Sequence, residues 1–245
     1  MKPRTKPSAA RPASAPSPGA EGRVSVRKRI LLVDDHPFMR AGLAQLIDKQ
    51  PDLMIGGEAG NPAEALRALA AHGADLALTD ITMPGRSGLE FIKDLQAIYP
   101  SLPILVLSMH DETIYAERAL RAGARGYIMK ETGGESLLQA IRQVLSGQVY
   151  LSPAMAARLL ASFSGAKSSG SPTPFAKLTD REFEVFQLIG QGKSTREIAQ
   201  QLHLSPKTVD VHRGNIKTKL GLADATALIR HAVRWVETQD ASRLS

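Results

Sequence analysis

The fold is decided by the stretch Ile30-Leu31-Leu32-Val33-Asp34-Asp35, a short apolar run that ends on two carboxylates. Short apolar runs bounded by polar residues are typical of buried strands. Three further runs, at 76–79, 104–107 and 126–129, are followed or ended by polar residues: Asp80, Ser108 and Lys130. A weaker candidate lies at 53–55. The sequence therefore predicts five strands, four of which deliver polar side chains at their carboxyl ends.

Segments with the apolar spacing of helices separate these strands. They lie at 38–47, 63–71, 89–98, 114–121 and 135–145. Strands that alternate with helices predict βα units on a parallel sheet covered on both faces. Because such crossovers are right-handed, the expected result is a doubly wound α/β domain.

The polar strand ends predict a site, because functional residues in an open parallel sheet gather at the carboxyl ends of the strands. Its members are Asp34, Asp35, Asp80, Ser108 and Lys130. Clustered carboxylates without His or Cys ligands favour Mg²⁺. Lys130 and Ser108 would hold a phosphoryl group, and Asp80 is the best acceptor because it stands alone at its strand end. The expected chemistry is in-line attack of the Asp80 carboxylate on a phosphoryl donor.

Composition bounds the class of protein. A chain of 245 residues allows two small domains. The absence of cysteine excludes disulfides, cysteine-ligated zinc and thiol catalysis. No apolar run reaches membrane-spanning length and no signal-peptide core is visible, so we expect a cytoplasmic protein without a membrane partner.

The net charge of +7 is unevenly distributed. Residues 1–29 carry eight basic residues and one acid, whereas 30–150 carry ten basic and fifteen acidic residues. The segment 1–28 is rich in Pro, Ala and Ser and is predicted to be a disordered basic tail. Two interpretations of this tail stay open: a dispensable extension or misplaced start, and an arm that adds DNA affinity.

The rest of the chain predicts a linker with a short helix over 148–176 and an all-helical domain of four helices over 177–240. Two capping boxes, Thr179-x-x-Glu182 and Ser194-x-x-Glu197, predict helix starts. Ser205-Pro206 begins a third helix, and a fourth runs from Ala223 onward. Two short helices joined by a tight turn predict a helix-turn-helix at about 194–213, whose second helix enters the major groove.

The exposed face of that second helix carries candidates for DNA contacts. Basic side chains there would neutralise phosphates, and Arg and Asn reach base edges. The candidates include Lys207, Thr208, Arg213, Lys217 and Lys219.

Residues 29–147 resemble the receiver domain of response regulators. The matching motifs are Leu31 to Pro37, Asp80 to Gly88, Leu107-Ser108 and Gly126 to Lys130. The resemblance implies a five-stranded sheet of order 2-1-3-4-5 with Asp80 as phosphoacceptor. It implies Mg²⁺ ligation by Asp35, Asp80 and the main-chain carbonyl of Thr82, with Asp34 acting through water. It further implies that Ser108 is the switch hydroxyl, that Lys130 faces the phosphate, and that Tyr127 changes rotamer.

Residues 177–236 resemble the LuxR-type helix-turn-helix, and the whole chain resembles the NarL/FixJ family. The resemblance places base-reading positions at Asp210, Val211 and Gly214. We expect phosphate contacts at Thr195, Thr208, Lys217 and Lys219. Asp210 stands where the family often has Lys. Gly214 weakens a helix interior by about 1 kcal/mol relative to Ala. These departures leave the operator sequence unpredicted.

The expected function is that of a phosphorylation-controlled transcription regulator, and not of an enzyme beyond the self-phosphorylation and dephosphorylation of Asp80. Expected partners are a cognate histidine kinase, double-stranded DNA and, once phosphorylated, a second copy paired through the helix after Ala223. RNA polymerase is left open as a further partner. Without phosphate, the receiver would mask the third helix or hold the protein monomeric.

Two alternatives stay open. The receiver could be a constitutive dimerisation or ligand-sensing module, or the acidic pocket could belong to a Mg²⁺-dependent phosphohydrolase with Asp80 as nucleophile. The second lacks a substrate-binding cap and an Asp-x-Asp pair after the first strand. The kinase, its signal, the regulated genes and the sign of regulation are not predicted.

Overall fold

The N-terminal half of the chain is built on a parallel sheet. A computed structural model describes residues 27–83, 87–163 and 174–243. The sheet order is β2-β1-β3-β4-β5, which confirms the predicted doubly wound receiver topology. The strands are β1 (Lys28–Val33), β2 (Leu53–Ala59), β3 (Leu76–Thr79), β4 (Ile104–Ser108) and β5 (Gly126–Met129).

Five helices cover the two faces of this sheet. They are α1 (Pro37–Asp48), α2 (Pro62–His72), α3 (Gly88–Ile98), α4 (Glu112–Ala122) and α5 (Gly134–Leu145). One buried cluster packs α1 and α5 against the sheet, and a second packs α2, α3 and α4 against the other face. The strand interiors are buried because both faces are covered, which explains their continuous apolar runs.

Strand β2 is longer than its apolar signal predicts. Ile30 pairs with Ile55 and Leu31 pairs with Gly57, so Gly56 is skipped in the register. A Cβ at position 56 would lie 2.9 Å from the Cβ of Arg29. Gly56 is therefore a bulge residue, and its lack of a side chain permits the close approach of β1.

The segment after α5 packs on the α/β domain. The Tyr150 main chain donates to the Arg125 carbonyl and accepts from the Tyr127 amide. Helix α6 (Pro153–Phe163) follows, and its Met155 is buried. We propose that the α/β domain extends to residue 163, beyond the predicted boundary at 147.

The C-terminal half is helical. A short 3-10 helix (Pro174–Lys177) precedes α7 (Asp180–Gly190), α8 (Thr195–Gln201), α9 (Pro206–Leu220) and α10 (Ala225–Arg243). Both predicted capping boxes are confirmed. Each N-cap hydroxyl, of Thr179 or Ser194, accepts from the amide of the glutamate three residues later, and the carboxylate of that glutamate accepts from the N-cap amide. The predicted start of α9 is also confirmed, because the Ser205 hydroxyl accepts from the Thr208 amide.

The bounds of the last two helices differ from the predicted ones. Helix α10 begins two residues later than predicted because the Asp224 carboxylate accepts from the Ala227 amide and caps it. Helix α9 runs to Leu220, so the helix-turn-helix extends past 213. The predicted tail lies outside the described residues apart from its last two, as do residues 164–173 of the linker.

Among the described residues no helix is long and apolar enough to cross a membrane.

Two glycines of the C-terminal domain give opposite predictions for stability. A Cβ at Gly190 would lie 2.5 Å from the Ala232 carbonyl oxygen, whereas a Cβ at Gly214 meets nothing within 4 Å. We expect Gly190→Ala to lower the free energy of unfolding by about 2 kcal/mol through overpacking against α10. Gly214→Ala should raise it by up to about 1 kcal/mol. Urea unfolding followed by Trp235 fluorescence measures both, and equal effects would contradict this packing.

Candidate functional site

The carboxyl edge of the sheet brings three carboxylates together, as the sequence predicts. Asp34 and Asp35 follow β1, Asp80 follows the neighbouring strand β3, and His36 completes the group. One ligand atom from each of the four lies within 4.8 Å of the others. Asp34 is 1% and Asp80 3% exposed. Two buried carboxylates at this spacing repel each other strongly and require a cation.

Lys130 supplies that cation from the end of β5. Its ammonium lies 2.7 Å from Asp34 Oδ2 and 2.7 Å from Asp80 Oδ2. Burial disfavours its charge, but Asp80 and Asp34 outweigh this effect, so the pKa of Lys130 is raised. The ammonium therefore pairs with two of the three carboxylates, and Asp35 has no contact with it among those found.

The residues present fit a magnesium ion. Asp35 Oδ1 is buried and accepts no hydrogen bond, although His36 Nδ1 lies 2.9 Å away. A buried carboxylate oxygen that accepts no hydrogen bond, with two further carboxylates within 4.8 Å, suits a hard divalent cation with oxygen ligands. Asp35 and Asp80 would hold such an ion.

Main-chain and side-chain donors fix the orientation of the two buried carboxylates. The Thr82 amide donates to Asp80 Oδ1 at 2.8 Å, and the His36 amide donates to Asp34 Oδ1 at 2.8 Å. Arg40, from α1, donates to the main-chain carbonyl of Asp34 at 2.5 Å. Sequence reasoning missed Arg40, whose position in an amphipathic helix carries no signal for this role.

The two predicted switch residues converge on His110, which the sequence did not single out. Ser108 and Tyr127 are both fully buried. Ser108 Oγ accepts from the His110 amide at 3.1 Å, and the Tyr127 hydroxyl donates to the His110 carbonyl at 2.8 Å. Burial raises the pKa of the Tyr127 hydroxyl, so Tyr127 is a neutral donor. The loop that begins at Ser108 is thus held by both residues.

The predicted DNA-contact residues fall into three groups. Lys207, Asp210 and Val211 are exposed on the outer face of α9, with Val211 at 56%. Arg213 instead donates to the Thr195 hydroxyl at 2.7 Å, which joins α9 to α8. The remaining members are partly buried: Thr208, Gly214, Lys217 and Lys219.

Lys219 has a partner inside the domain. Its ammonium lies 2.6 Å from the carboxylate of Glu182, which is 3% exposed. Burial opposes the charge of Glu182, but Lys219 and Thr179 outweigh it and lower its pKa. The pair connects α9 to α7. The expected phosphate contact of Lys219 stays a prediction.

Comparison with known proteins identifies the family. Residues 30–142 match the family "Response regulator receiver domain", and residues 176–232 match "Bacterial regulatory proteins, luxR family". The transcriptional regulatory protein UhpA of Escherichia coli (strain K12) is 39% identical over 201 residues, which cover 82% of this chain and 95% of UhpA. This chain is a response regulator of the NarL/FixJ family. Its members are DNA-binding transcription regulators.

Further similarities span both halves of the response regulator. The oxygen regulatory protein NreC of Staphylococcus carnosus (strain TM300) is 34% identical over 210 residues, 84% of this chain and 97% of NreC. A structure of RcsB from Salmonella enterica serovar Typhimurium, bound to promoter rprA with the phosphomimetic BeF3⁻, aligns with a TM-score of 0.61 at 25% identity. That alignment covers 85% of this chain and 99% of the RcsB chain.

The buried ammonium of the response regulator gives a prediction for stability. Lys130→Gln leaves two buried carboxylates without their cation, so we expect the free energy of unfolding to fall by about 3 kcal/mol in EDTA. Saturating Mg²⁺ should restore part of this loss. The control is Lys28→Gln, which breaks an exposed pair with Asp75 and should change stability by under about 1 kcal/mol. Urea unfolding with and without Mg²⁺ tests both variants, and equal losses would contradict the assignment.

We expect Lys207 and Lys219, which both lie on α9, to differ in role: Lys207 contributes to DNA binding and Lys219 to stability. Lys207→Ala removes an exposed cation, so we expect weaker binding to any duplex and a salt slope lower by about one, with stability unchanged. Lys219→Ala should lower the unfolding free energy of the C-terminal domain by about 1–3 kcal/mol, since Glu182 loses its charged partner. Fluorescence anisotropy on a random duplex at several salt concentrations, together with urea unfolding, distinguishes the two. A Lys219 variant of unchanged stability would count against the structural role.

Proposed function

We propose that Asp80 accepts a phosphoryl group from a histidine kinase, and that this modification controls how the C-terminal domain pairs on DNA in the cytoplasm. The observation that carries the proposal is the Lys130 ammonium held between Asp34 and Asp80. Asp35 adds a third carboxylate, with an oxygen within 4.8 Å of ligand atoms of Asp34 and Asp80. This arrangement has the charges that phosphoryl transfer needs, with both carboxylates fixed in place.

The proposed reaction uses Asp80 as the nucleophile. A carboxylate oxygen of Asp80 attacks phosphorus, the bond from phosphorus to the donor's imidazole nitrogen breaks, and the departing imidazole keeps the electron pair and takes up a proton. Lys130 neutralises charge on the transferred oxygens. Mg²⁺, held by Asp35, Asp80 and the Thr82 carbonyl with Asp34 acting through water, would supply further charge stabilisation when bound.

The acyl phosphate would then act on the switch residues. A phosphoryl group adds up to about two negative charges near neutral pH. Rotation of the Ser108 side chain, so that its hydroxyl donates to the phosphoryl group, would move Oγ away from the His110 amide, from which it now accepts. The Tyr127 hydroxyl donates to the His110 carbonyl, so Tyr127 would move together with His110. The β4–α4 loop is therefore the first part of the receiver to move.

The output is DNA binding through α9 in the major groove. We propose Lys207, Thr208, Lys217 and Thr195 as phosphate contacts, and Asp210, Val211, Arg213 and Gly214 as residues near the bases. The outer face of α9 is already exposed in this structure. Of the two inhibitory arrangements expected from the sequence, this exposure supports control of pairing over masking of α9. The RcsB structure bound to a promoter with BeF3⁻ supports a phosphoryl-dependent DNA complex.

Replacement of the acceptor tests this function. Asp80→Asn should abolish phosphoryl uptake from acetyl phosphate or phosphoramidate, measured on phosphate-affinity gels and by intact mass. The matched control, Asp52→Asn, removes a carboxylate that precedes β2 and pairs with Arg142 at the opposite edge of the sheet. It should be phosphorylated as the wild type is. Undiminished uptake by Asp80→Asn would show that the acceptor is another residue.

A further inference from the structure

His36 lies at the mouth of the acidic pocket and adds a nitrogen to a set of oxygens. The sequence favoured a magnesium site without histidine, but the structure places a ligand atom of His36 within 4.8 Å of ligand atoms of all three carboxylates. Its Nδ1 lies 2.9 Å from Asp35 Oδ1 and 3.4 Å from Asp34 Oδ1. The pocket therefore combines three carboxylates with one imidazole.

The contact between His36 and Asp35 is close but is not a hydrogen bond. Asp35 Oδ1 is buried and accepts no hydrogen bond, although the imidazole nitrogen is 2.9 Å away. A hydrogen bond requires an N–H that points at the acceptor, and it weakens steeply below an angle of about 120°. The two atoms therefore lie side by side, and the lone pairs of this oxygen are available to another partner.

Atoms that bind the same metal ion lie at separations of this size. With bonds of about 2.1 Å in an octahedron, neighbouring ligands are about 3.0 Å apart and opposite ligands about 4.2 Å apart. The distances of 2.9 and 3.4 Å from His36 Nδ1 to Asp35 and Asp34 are close to that of neighbouring ligands. The whole group, within 4.8 Å, is only slightly wider than such an octahedron.

The backbone holds His36 in place without the help of its side chain. His36 is the N-cap of α1, and its amide donates to Asp34 Oδ1. Its imidazole makes no capping hydrogen bond and is 68% exposed. Because the ring neither caps the helix nor packs in the core, replacement of His36 should leave the fold intact.

Lys130 leaves the His36 side of the pocket without a cation. Its ammonium binds one oxygen of Asp34 and one of Asp80. Asp35, which is next to His36, has no such contact among the residues described. An ion held there meets both oxygen and nitrogen ligands. Carboxylates suit Mg²⁺, whereas imidazole suits later transition ions such as Ni²⁺, Cu²⁺ and Zn²⁺.

We propose that His36 Nδ1 is a ligand of the divalent cation in the acidic pocket, and that it makes the pocket select late first-row transition ions such as Ni²⁺ and Cu²⁺ over Mg²⁺. Mg²⁺ would bind through oxygens alone, with water in place of the imidazole. The inference rests on the cation site of the proposed function and assigns the ion selectivity of that site to one residue.

Titration calorimetry on the full chain, with Ni²⁺ and Mg²⁺ as the ions, tests the selectivity. His36→Ala should lower the affinity for Ni²⁺ by at least about tenfold, the smallest loss typical of groups that only orient a ligand. It should change the affinity for Mg²⁺ by less than about twofold, since Mg²⁺ prefers oxygen. The matched control is His72→Ala, which removes an exposed histidine at the end of α2 and should bind both ions as the wild type does.

Pulsed electron paramagnetic resonance of one equivalent of Cu²⁺ gives a direct readout, because the remote nitrogen of a coordinated imidazole modulates the echo. The wild type and His72→Ala should show this modulation, and His36→Ala should lose it. Asp35→Asn should weaken the binding of Ni²⁺ and Mg²⁺ alike, which would place both ions in this pocket. Unchanged far-UV circular dichroism checks the fold of each variant.

Three results would overturn the role of His36. They are an undiminished affinity of His36→Ala for Ni²⁺, an equal loss for Ni²⁺ and Mg²⁺, and persistence of the imidazole modulation in that variant. An equal loss would mean that His36 orients Asp35 without binding the ion. Unchanged binding of both ions by Asp35→Asn would instead place them outside the pocket and refute the cation site of the proposed function together with this inference, while phosphoryl uptake by Asp80 is decided by its own assay.

Discussion

The structure depends on one buried ammonium between two buried carboxylates. Lys130 at the end of β5 joins Asp34 at the end of β1 to Asp80 at the end of β3. Like charges at this spacing cannot both stay ionised in a desolvated site without a cation. The pairing therefore fixes three strand ends relative to one another. It also keeps the edge of the sheet in the charge state that chemistry on a carboxylate requires.

The DNA-binding domain also contains a buried carboxylate that pairs with a basic side chain from another element. Glu182 caps α7 through the Thr179 amide and at the same time receives the Lys219 ammonium from α9. A single buried carboxylate thus sets the angle between the first helix of the domain and the helix that we propose to enter the major groove. In both domains a buried ion pair defines the geometry, and the apolar core supplies most of the stability.

Much of the fold follows from the sequence because its local signals agree with the tertiary structure. The apolar runs, the capping boxes and the polar strand ends each specify an element, and the parallel topology brings the strand ends together. The bulge at Gly56 was not predicted, because a bulge depends on the register of the neighbouring strand. The role of His110 was not predicted because it comes from hydrogen bonds to Ser108 and Tyr127 that form only in the folded receiver. Tyr115 and Arg118 bond to Gln187 and Asp180 of the C-terminal domain, and they were not predicted to do so because an arginine in an amphipathic helix looks the same whether it meets solvent or another domain.

The uncovered face of α9 has a kinetic consequence. Lys207 and its neighbours on that face are exposed to solvent in this structure. Phosphate contacts of this kind do not depend on base sequence, and they let a protein slide and hop along a duplex. We expect the resting regulator to spend time on chromosomal DNA before any signal arrives. The time between phosphorylation and promoter binding would then depend on the pairing of two copies on the duplex. Diffusion of the protein from free solution to the DNA would contribute little to that time.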